Sequence, residues 1–265
     1  MHETKQKPQY LSFSEPFQKN LLEKMKSISA LIILLILSSC QITETIQINP
    51  DGTGTIEVVQ LRNENSYMQL AGDQYAHEDV FKDTTYVFED YIKRYNETFV
   101  KYTPIEQQLF QKYSNVKVHT KNSSFEKEFR TVMSFNFNKV SEIPDLYKTE
   151  DYANDIKHNY ALTAENHYYK VEYHFDGTVF KRSVSVTNQE ELQKTKNQFA
   201  TADPKYTSLK LTQSYTLKYH FPKKIKSVSN EKAIISSDKK ALTLEFKLSD
   251  CLQNPEMTNL EVVLE

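Results

Sequence analysis

Strict alternation of apolar and polar positions marks most of the chain from residue 45 onward. Ile46 and Ile48, then Ile56 and Val58, fall on alternate positions around Pro50-Asp51-Gly52, a strong turn signal, and so predict a hairpin. Phe129, Thr131, Met133, Phe135 and Phe137 alternate with Glu128, Arg130, Val132, Ser134 and Asn136, and Val116 and Val118 pair with them through the Lys121–Glu126 loop. Tyr169, Val171, Tyr173 and Phe175 lead into Asp176-Gly177, which reads as a two-residue hairpin turn. That register sets Glu172 opposite Lys181 and Tyr173 opposite Phe180. Leu209, Leu211, Gln213, Tyr215, Leu217, Tyr219 and Phe221 share one face of a long strand. Leu242, Leu244, Phe246 and Leu248, then Leu260, Val262 and Leu264, repeat the pattern.

Helical spacing interrupts the strands. Phe88, Tyr91, Ile92, Tyr95 and Phe99 define one helical region. Thr103-Pro104-Ile105-Glu106 is a capping box with proline at the first helical position, and Ile105, Leu109, Phe110 and Tyr113 form the stripe of the helix it opens. Asn188, with Glu191 three residues on, caps a helix running to about Phe199. Clean alternation means sheets with one wet face, so the other face needs helices or a second sheet over it. The fold class is α+β, mainly antiparallel, with hairpins and one face covered by a few helices. Residues 40–265 are read as one domain, with 150–165 as the point where it would divide. The Asp-Gly hairpins Gln47–Val58 and Glu172–Val184, each followed by a helical stretch, form a weak internal repeat.

The first 40 residues follow a different rule. Met25–Cys40 reads MKSISALIILLILSSC: a lysine close to the start, then eight apolar residues from Ala30 to Leu37. That matches the hydrophobic stretch of an export signal, roughly 7–15 residues. It is shorter than the roughly 20 residues a membrane-spanning helix needs. Leu37-Ser38-Ser39-Cys40 then presents an aliphatic residue, two small residues and a cysteine, and resembles the lipobox of bacterial lipoproteins. The resemblance implies cleavage between Ser39 and Cys40, a diacylglyceryl thioether on Cys40 and an N-acyl chain such as palmitate. Residues 1–24, with Pro8, Pro16 and mixed charges, fit no export signal, which places the expected translation start at Met25 and makes 1–24 a mis-assigned start or a disordered leader. Gln41 after the lipid cysteine is compatible with outer-membrane sorting, and the expected location is the outer membrane of a Gram-negative bacterium.

Composition narrows the partners. Hydrophobic residues make up 38% and charged residues 26%, which is globular rather than disordered. Removing the five Lys and three Glu of residues 1–39 from 33 basic and 35 acidic residues leaves 28 and 32, a net charge of −4. That balance argues against nucleic acid and against an anionic membrane surface as electrostatic partners. With Gly only at 52, 54, 72 and 177, no phosphate-cradling loop is available, and no HExxH, GxSxG or CxxC occurs.

The chemistry-bearing residues read as structural. His119, His174 and His220 fall on polar strand faces, as solvated side chains rather than metal ligands. Asp51, Asp176 and Asp250 sit in or near turns, Glu89-Asp90 and Glu190-Glu191 at helix starts. Tyr168-Tyr169 reads as core rather than as a sugar platform, and Cys251 as a small buried residue. The expected site list is therefore Cys40 for lipidation and Ser39–Cys40 for cleavage, with no catalytic residue, metal or cofactor.

Two stretches carry a further likeness. Ile46–Val58 (IQINPDGTGTIEV) and Tyr215–Val228 (YTLKYHFPKKIKSV), with Ala241–Leu248, resemble uncharacterised envelope lipoproteins of Gram-negative bacteria and, more distantly, are similar to the LppM-type lipoprotein domain. The resemblance implies an α+β domain flanked by an early hairpin and a late Phe-Pro strand, and no catalytic residue. The expected function is a membrane-anchored, non-enzymatic binding or scaffolding protein, with lipid, glycan or an envelope protein as partner; the alternative is an envelope hydrolase with an unrecognised site.

Overall fold

The computed structural model describes residues 40–159, 161–201, 211 and 213–265. The segment expected to be an export signal, with Ser39, and also Leu209, Lys210 and Thr212 lie outside the described residues. Twelve strands form two sheets among the described residues. The larger sheet has eight: β1 (Cys40–Ile48), β2 (Gly54–Arg62), β3 (Phe81–Val87), β4 (Lys117–Ser123), β5 (Glu128–Phe137), β8 (Ser214–His220), β10 (Ile234–Ile235) and β11 (Ala241–Lys247), in the order β10-β11-β8-β1-β2-β5-β4-β3. The smaller runs β6-β7-β12-β9, from β6 (Tyr169–Phe175), β7 (Val179–Val186), β9 (Ile225–Val228) and β12 (Leu260–Leu264). Every pairing is antiparallel except β1 with β8, which is parallel. The α+β, mainly antiparallel reading holds.

Register explains which face is buried. Ile46 pairs with Ile56 and with Tyr219, Ile56 with Phe135, Val58 with Met133, and Tyr219 with Leu242. All of these side chains are buried, so the apolar phases of adjacent strands coincide on one face. The smaller sheet packs on that face: the Phe180 ring meets Tyr219 at 5.2 Å and Phe221 at 5.4 Å. The helices among the described residues are α1 (Glu64–Ala71), α2 (Phe88–Arg94), α3 (Asn96–Phe99), α4 (Pro104–Gln111), α5 (Thr149–His158), α6 (Gln189–Ala200) and α7 (Leu248–Gln253). All but α1 add buried apolar residues to the core, as do Val140, Ile143 and Leu146 between them. Phe88, Phe110, Tyr113 and Tyr152 form a chain of ring contacts within a single core cluster that extends from Ile46 to Leu264.

Local chemistry sets the element ends. Thr103 Oγ1 accepts from the Glu106 amide, while Glu106 Oε2 accepts from the Thr103 amide at 2.7 Å, closing the expected box. Asn188 Oδ1 accepts from the amides of Glu190 and Glu191 and starts α6. Asp51 Oδ1 accepts from the amide and hydroxyl of Thr53 across the first hairpin, where Gly52 takes φ 84°.

Four expectations need correction. The second hairpin pairs Phe175 with Phe180, His174 with Lys181, Tyr173 with Arg182 and Glu172 with Ser183, two residues away from the predicted register. The cause is Asp176, whose Oδ1 accepts from the amides of Thr178 and Val179 and so widens the turn to four residues. A two-residue shift leaves every side chain on its predicted face. The helical region from Phe88 breaks at Tyr95 (φ −110°, ψ 35°) into α2 and α3. The long C-terminal strand starts only at Ser214 and ends at His220, with Leu211 outside it and Phe221 buried just beyond it. Leu248 is buried as the first residue of α7 rather than the end of a strand.

Candidate functional site

The predicted lipid-bearing residue lies within the larger sheet. Cys40 is the first residue of β1, paired with Arg62 at the end of β2 and half-buried. Burial raises its thiol pKa against the opposing charge of Arg62. Arg62 is itself clamped. Its guanidinium bonds Glu64 and Glu78 and lies 3.8 Å from the Tyr67 ring centroid and 3.2 Å from that of Phe129. No tether separates Cys40 from the sheet.

A second constellation sits between the two sheets. Glu44 of β1 is 0% exposed and Arg182 of β7 2% exposed. Arg182 donates from Nε to Glu44 Oε1 at 3.1 Å and from Nη2 to Oε2 at 3.2 Å, a two-point fork. Glu44 Oε2 also accepts from the Tyr147 hydroxyl at 2.7 Å and the Tyr215 hydroxyl at 2.9 Å, and Oε1 from the Tyr219 hydroxyl. Arg182 Nη1 donates to Thr258 Oγ1 at 2.8 Å.

Electrostatics follow from this geometry. Burial alone would raise the Glu44 carboxyl, but the Arg182 charge and the bonds from Arg182, Tyr219 and Tyr147 win and hold it below its usual range. Burial, reinforced by the Glu44 charge, keeps the hydroxyls of Tyr147 and Tyr219 protonated well beyond their ordinary range. Burial also raises Tyr215, against the opposing Arg182 charge. The carboxylate is ringed by the Arg182 fork and three tyrosine hydroxyls, of which Tyr147 and Tyr215 also lie 2.6 Å from each other, and so presents no open face to a substrate.

A cavity of about 60 Å³ adjoins this cluster, lined by Ile42, Tyr147, Tyr169, Tyr215, Cys251 and Leu252 among others. It is room for a water or two, not for an acyl chain. Cys251, buried there, has its thiol pushed up to about 12 by burial, with Arg182 opposing, so it is a poor nucleophile. A shallower recess of about 240 Å³ lies along β7 and β12, where Lys181 and Glu261 pair at 2.8 Å.

The other sequence candidates do not converge. His119 Nε2 meets Asp83 Oδ1 at 3.0 Å on the solvent side of the edge pair β3–β4, while His174 and His220 stand exposed on β6 and β8. No group of three or more His, Cys, Asp and Glu able to hold a metal occurs among the described residues. Tyr168 donates to the Leu252 carbonyl at 2.8 Å and packs edge-on against Tyr169, so this pair is tied to α7. Glu89-Asp90 and Glu190-Glu191 lie in first turns of helices, and Asp250 in that of α7.

Sequence reasoning missed Glu44 and Arg182, although a signal was present. Glu44 stands in phase with Ile46 and Ile48, and Arg182 in phase with Phe180 and Val184. A charge of opposite sign in the apolar phase of two strands is the mark of a buried pair.

No family model matches the chain, and no curated protein matches it. A similar solved structure is the folded domain of LppM from Mycobacterium tuberculosis, determined by NMR. The two share 10% sequence identity at a TM-score of 0.35, over 86% of this chain and 90% of that one. No helix among the described residues is long and apolar enough to cross a membrane.

Proposed function

We propose that this chain is a lipid-anchored envelope protein that binds or scaffolds a partner close to the membrane, without catalysing a reaction. The observation that carries the reading is the position of Cys40. The cysteine that ends the Leu37-Ser38-Ser39-Cys40 motif is itself a strand residue inside the larger sheet. A lipid there holds a rigid body against the bilayer rather than a domain on a leash. Two or three acyl chains, at roughly 0.8 kcal/mol per buried methylene, make the attachment effectively permanent. On this reading the anchor lies in the outer membrane of a Gram-negative cell, with which Gln41 is compatible. The partner is lipid, glycan or another envelope protein.

The buried cluster supports the non-enzymatic side, because Glu44 and Arg182 bond each other, three tyrosines and Thr258. The competing hydrolase reading needs a histidine and a carboxylate together in a recess; His119 and Asp83 meet in the open instead. Cys40→Ala expressed with its leader tests the proposal: it should lose fatty-acid labelling and leave the membrane fraction. Unlabelled wild-type protein, or a Cys40→Ala chain that fractionates unchanged, would overturn it.

A further inference from the structure

The end of the larger sheet that carries Cys40 also carries the most exposed aromatic side chain among the described residues. Phe125 is 95% exposed at the tip of the β4–β5 hairpin, and Phe81, at the start of β3, is 76% exposed. Scattered exposed apolar residues are ordinary, but these are neighbours. Phe81 pairs with Ser123, and the Ser124 amide donates to the Val80 carbonyl at 2.9 Å while the Val80 amide donates to Ser124 Oγ at 2.8 Å. Val80, itself exposed, is thereby stitched beside Phe125. Leu61, exposed as well, pairs with Gln41 and sits next to the anchor.

Strand register fixes the level of this patch relative to Cys40. Cys40 pairs with Arg62, and the preceding Leu61 pairs with Arg130, so Phe129 stands at the level of the anchor. The remaining hairpin, Ser123 to Glu128, projects past it. At roughly 3.3 Å per residue the tip reaches about 10 Å beyond Cys40. An interfacial apolar surface enters a bilayer by roughly 5–10 Å, so the projection matches the depth available. The hairpin is also braced by side-chain contacts. Lys121 pairs with Glu126 and Glu128, Lys127 Nζ lies 4.2 Å from the Tyr75 ring centroid, and Arg62 is stacked on Phe129. Preorganised aromatics at a fixed height insert with little loss of freedom.

We propose that Phe125, Phe81 and Val80 form a membrane-inserting edge that works with the lipid on Cys40 to fix the tilt of the sheet on the bilayer. This rests on the lipid-anchor reading above and adds to it a second, protein-made contact. The partner is the acyl–headgroup boundary of the leaflet that holds the lipid. Lys82 and Lys127 flank the apolar residues among several carboxylates, so the contact requires no anionic lipid.

The chain contains no tryptophan, so one introduced indole reports alone. Full-length protein carrying Phe125→Trp, matured in cells and reconstituted into vesicles of phosphatidylcholine alone, should float with the vesicles. Its emission should shift to shorter wavelength and be quenched by lipids brominated near the headgroup. Phe81→Trp should behave alike, whereas Ile234→Trp, on exposed edge strand β10 toward the other end of the sheet, should emit as in water and resist the quencher. Phe125→Trp protein that is acylated and floats but shows a water-exposed indole would overturn this inference while leaving the anchor standing. A blue-shifted indole that brominated lipid does not quench would show a protein covering the patch and would overturn it too. Protein that is neither acylated nor vesicle-bound would remove both proposals together.

Discussion

At the scale of single residues, the Glu44–Arg182 pair dominates. Removing one partner of a buried ion pair leaves the other charge without compensation, a loss of about 3–5 kcal/mol. Glu44→Gln and Arg182→Met should each lower urea-unfolding stability by that order, and the double variant by clearly less than the sum. Additive losses would show that the two side chains do not depend on each other. Proton linkage separates Glu44 from Asp145. Glu44, held low in the folded chain, contributes stability above its ordinary carboxylate range and loses it as pH falls through its folded value. Asp145 runs the other way. Burial, opposed by Lys148 and by amide bonds from Val171 and Tyr147, pushes its carboxyl up to about 6. Its contribution is complete below its unfolded value and disappears as pH rises from about 4 through 6, a change of about 1–3 kcal/mol. Denaturation curves of Asp145→Asn across that window should lack this fall, whatever constant loss the amide brings. An unchanged pH profile would mean that Asp145 ionises normally.

At the scale of elements, the first hairpin separates two reasons for glycine. Gly52 takes φ 84° with open space around it, whereas an added Cβ at Gly54 would meet the Gln47 carbonyl oxygen at 2.0 Å and Phe137 Cζ at 2.5 Å. Gly54→Ala should therefore cost at least the roughly 1–3 kcal/mol of an overpacked core, and Gly52→Ala about 1 kcal/mol of backbone strain, as read from chemical denaturation. Equal losses would contradict this distinction. Elements of this kind were legible because their signals are local: alternation, Asp-Gly turns, the Thr103 box and the Asn188 cap. What escaped depends on distance. The register of β6 on β7 turns on what the Asp176 side chain does once the loop closes. β3, almost wholly exposed, has no apolar phase to read. α5, anchored by Tyr152 and Ile156, carries too few apolar residues to stand out from its polar surroundings. The buried cluster joins residues as far apart as 44 and 219, so only its misplaced charges were visible in advance.

At the scale of the whole molecule, Glu44 and Arg182 stitch one sheet to the other through a shared core. Loss of either sheet would expose that charge pair and the rings of Phe180 and Tyr219 together. Unfolding should therefore be one cooperative transition, with far-UV circular dichroism and tyrosine fluorescence superimposing. Midpoints that separate would mean two units melting independently.

The seating of β1 between β2 and β8 sets an order of events. Its partner on one side is made within a few residues, but its other edge stays bare until Ser214–His220 has been synthesised and brought alongside. So long a wait for a central pairing makes assembly slow and leaves an adhesive strand uncovered meanwhile. A chain arrested before Ser214 would expose that strand permanently and would be expected to depend on chaperones or fall to proteases. An early strand of the domain is thus completed by a late one.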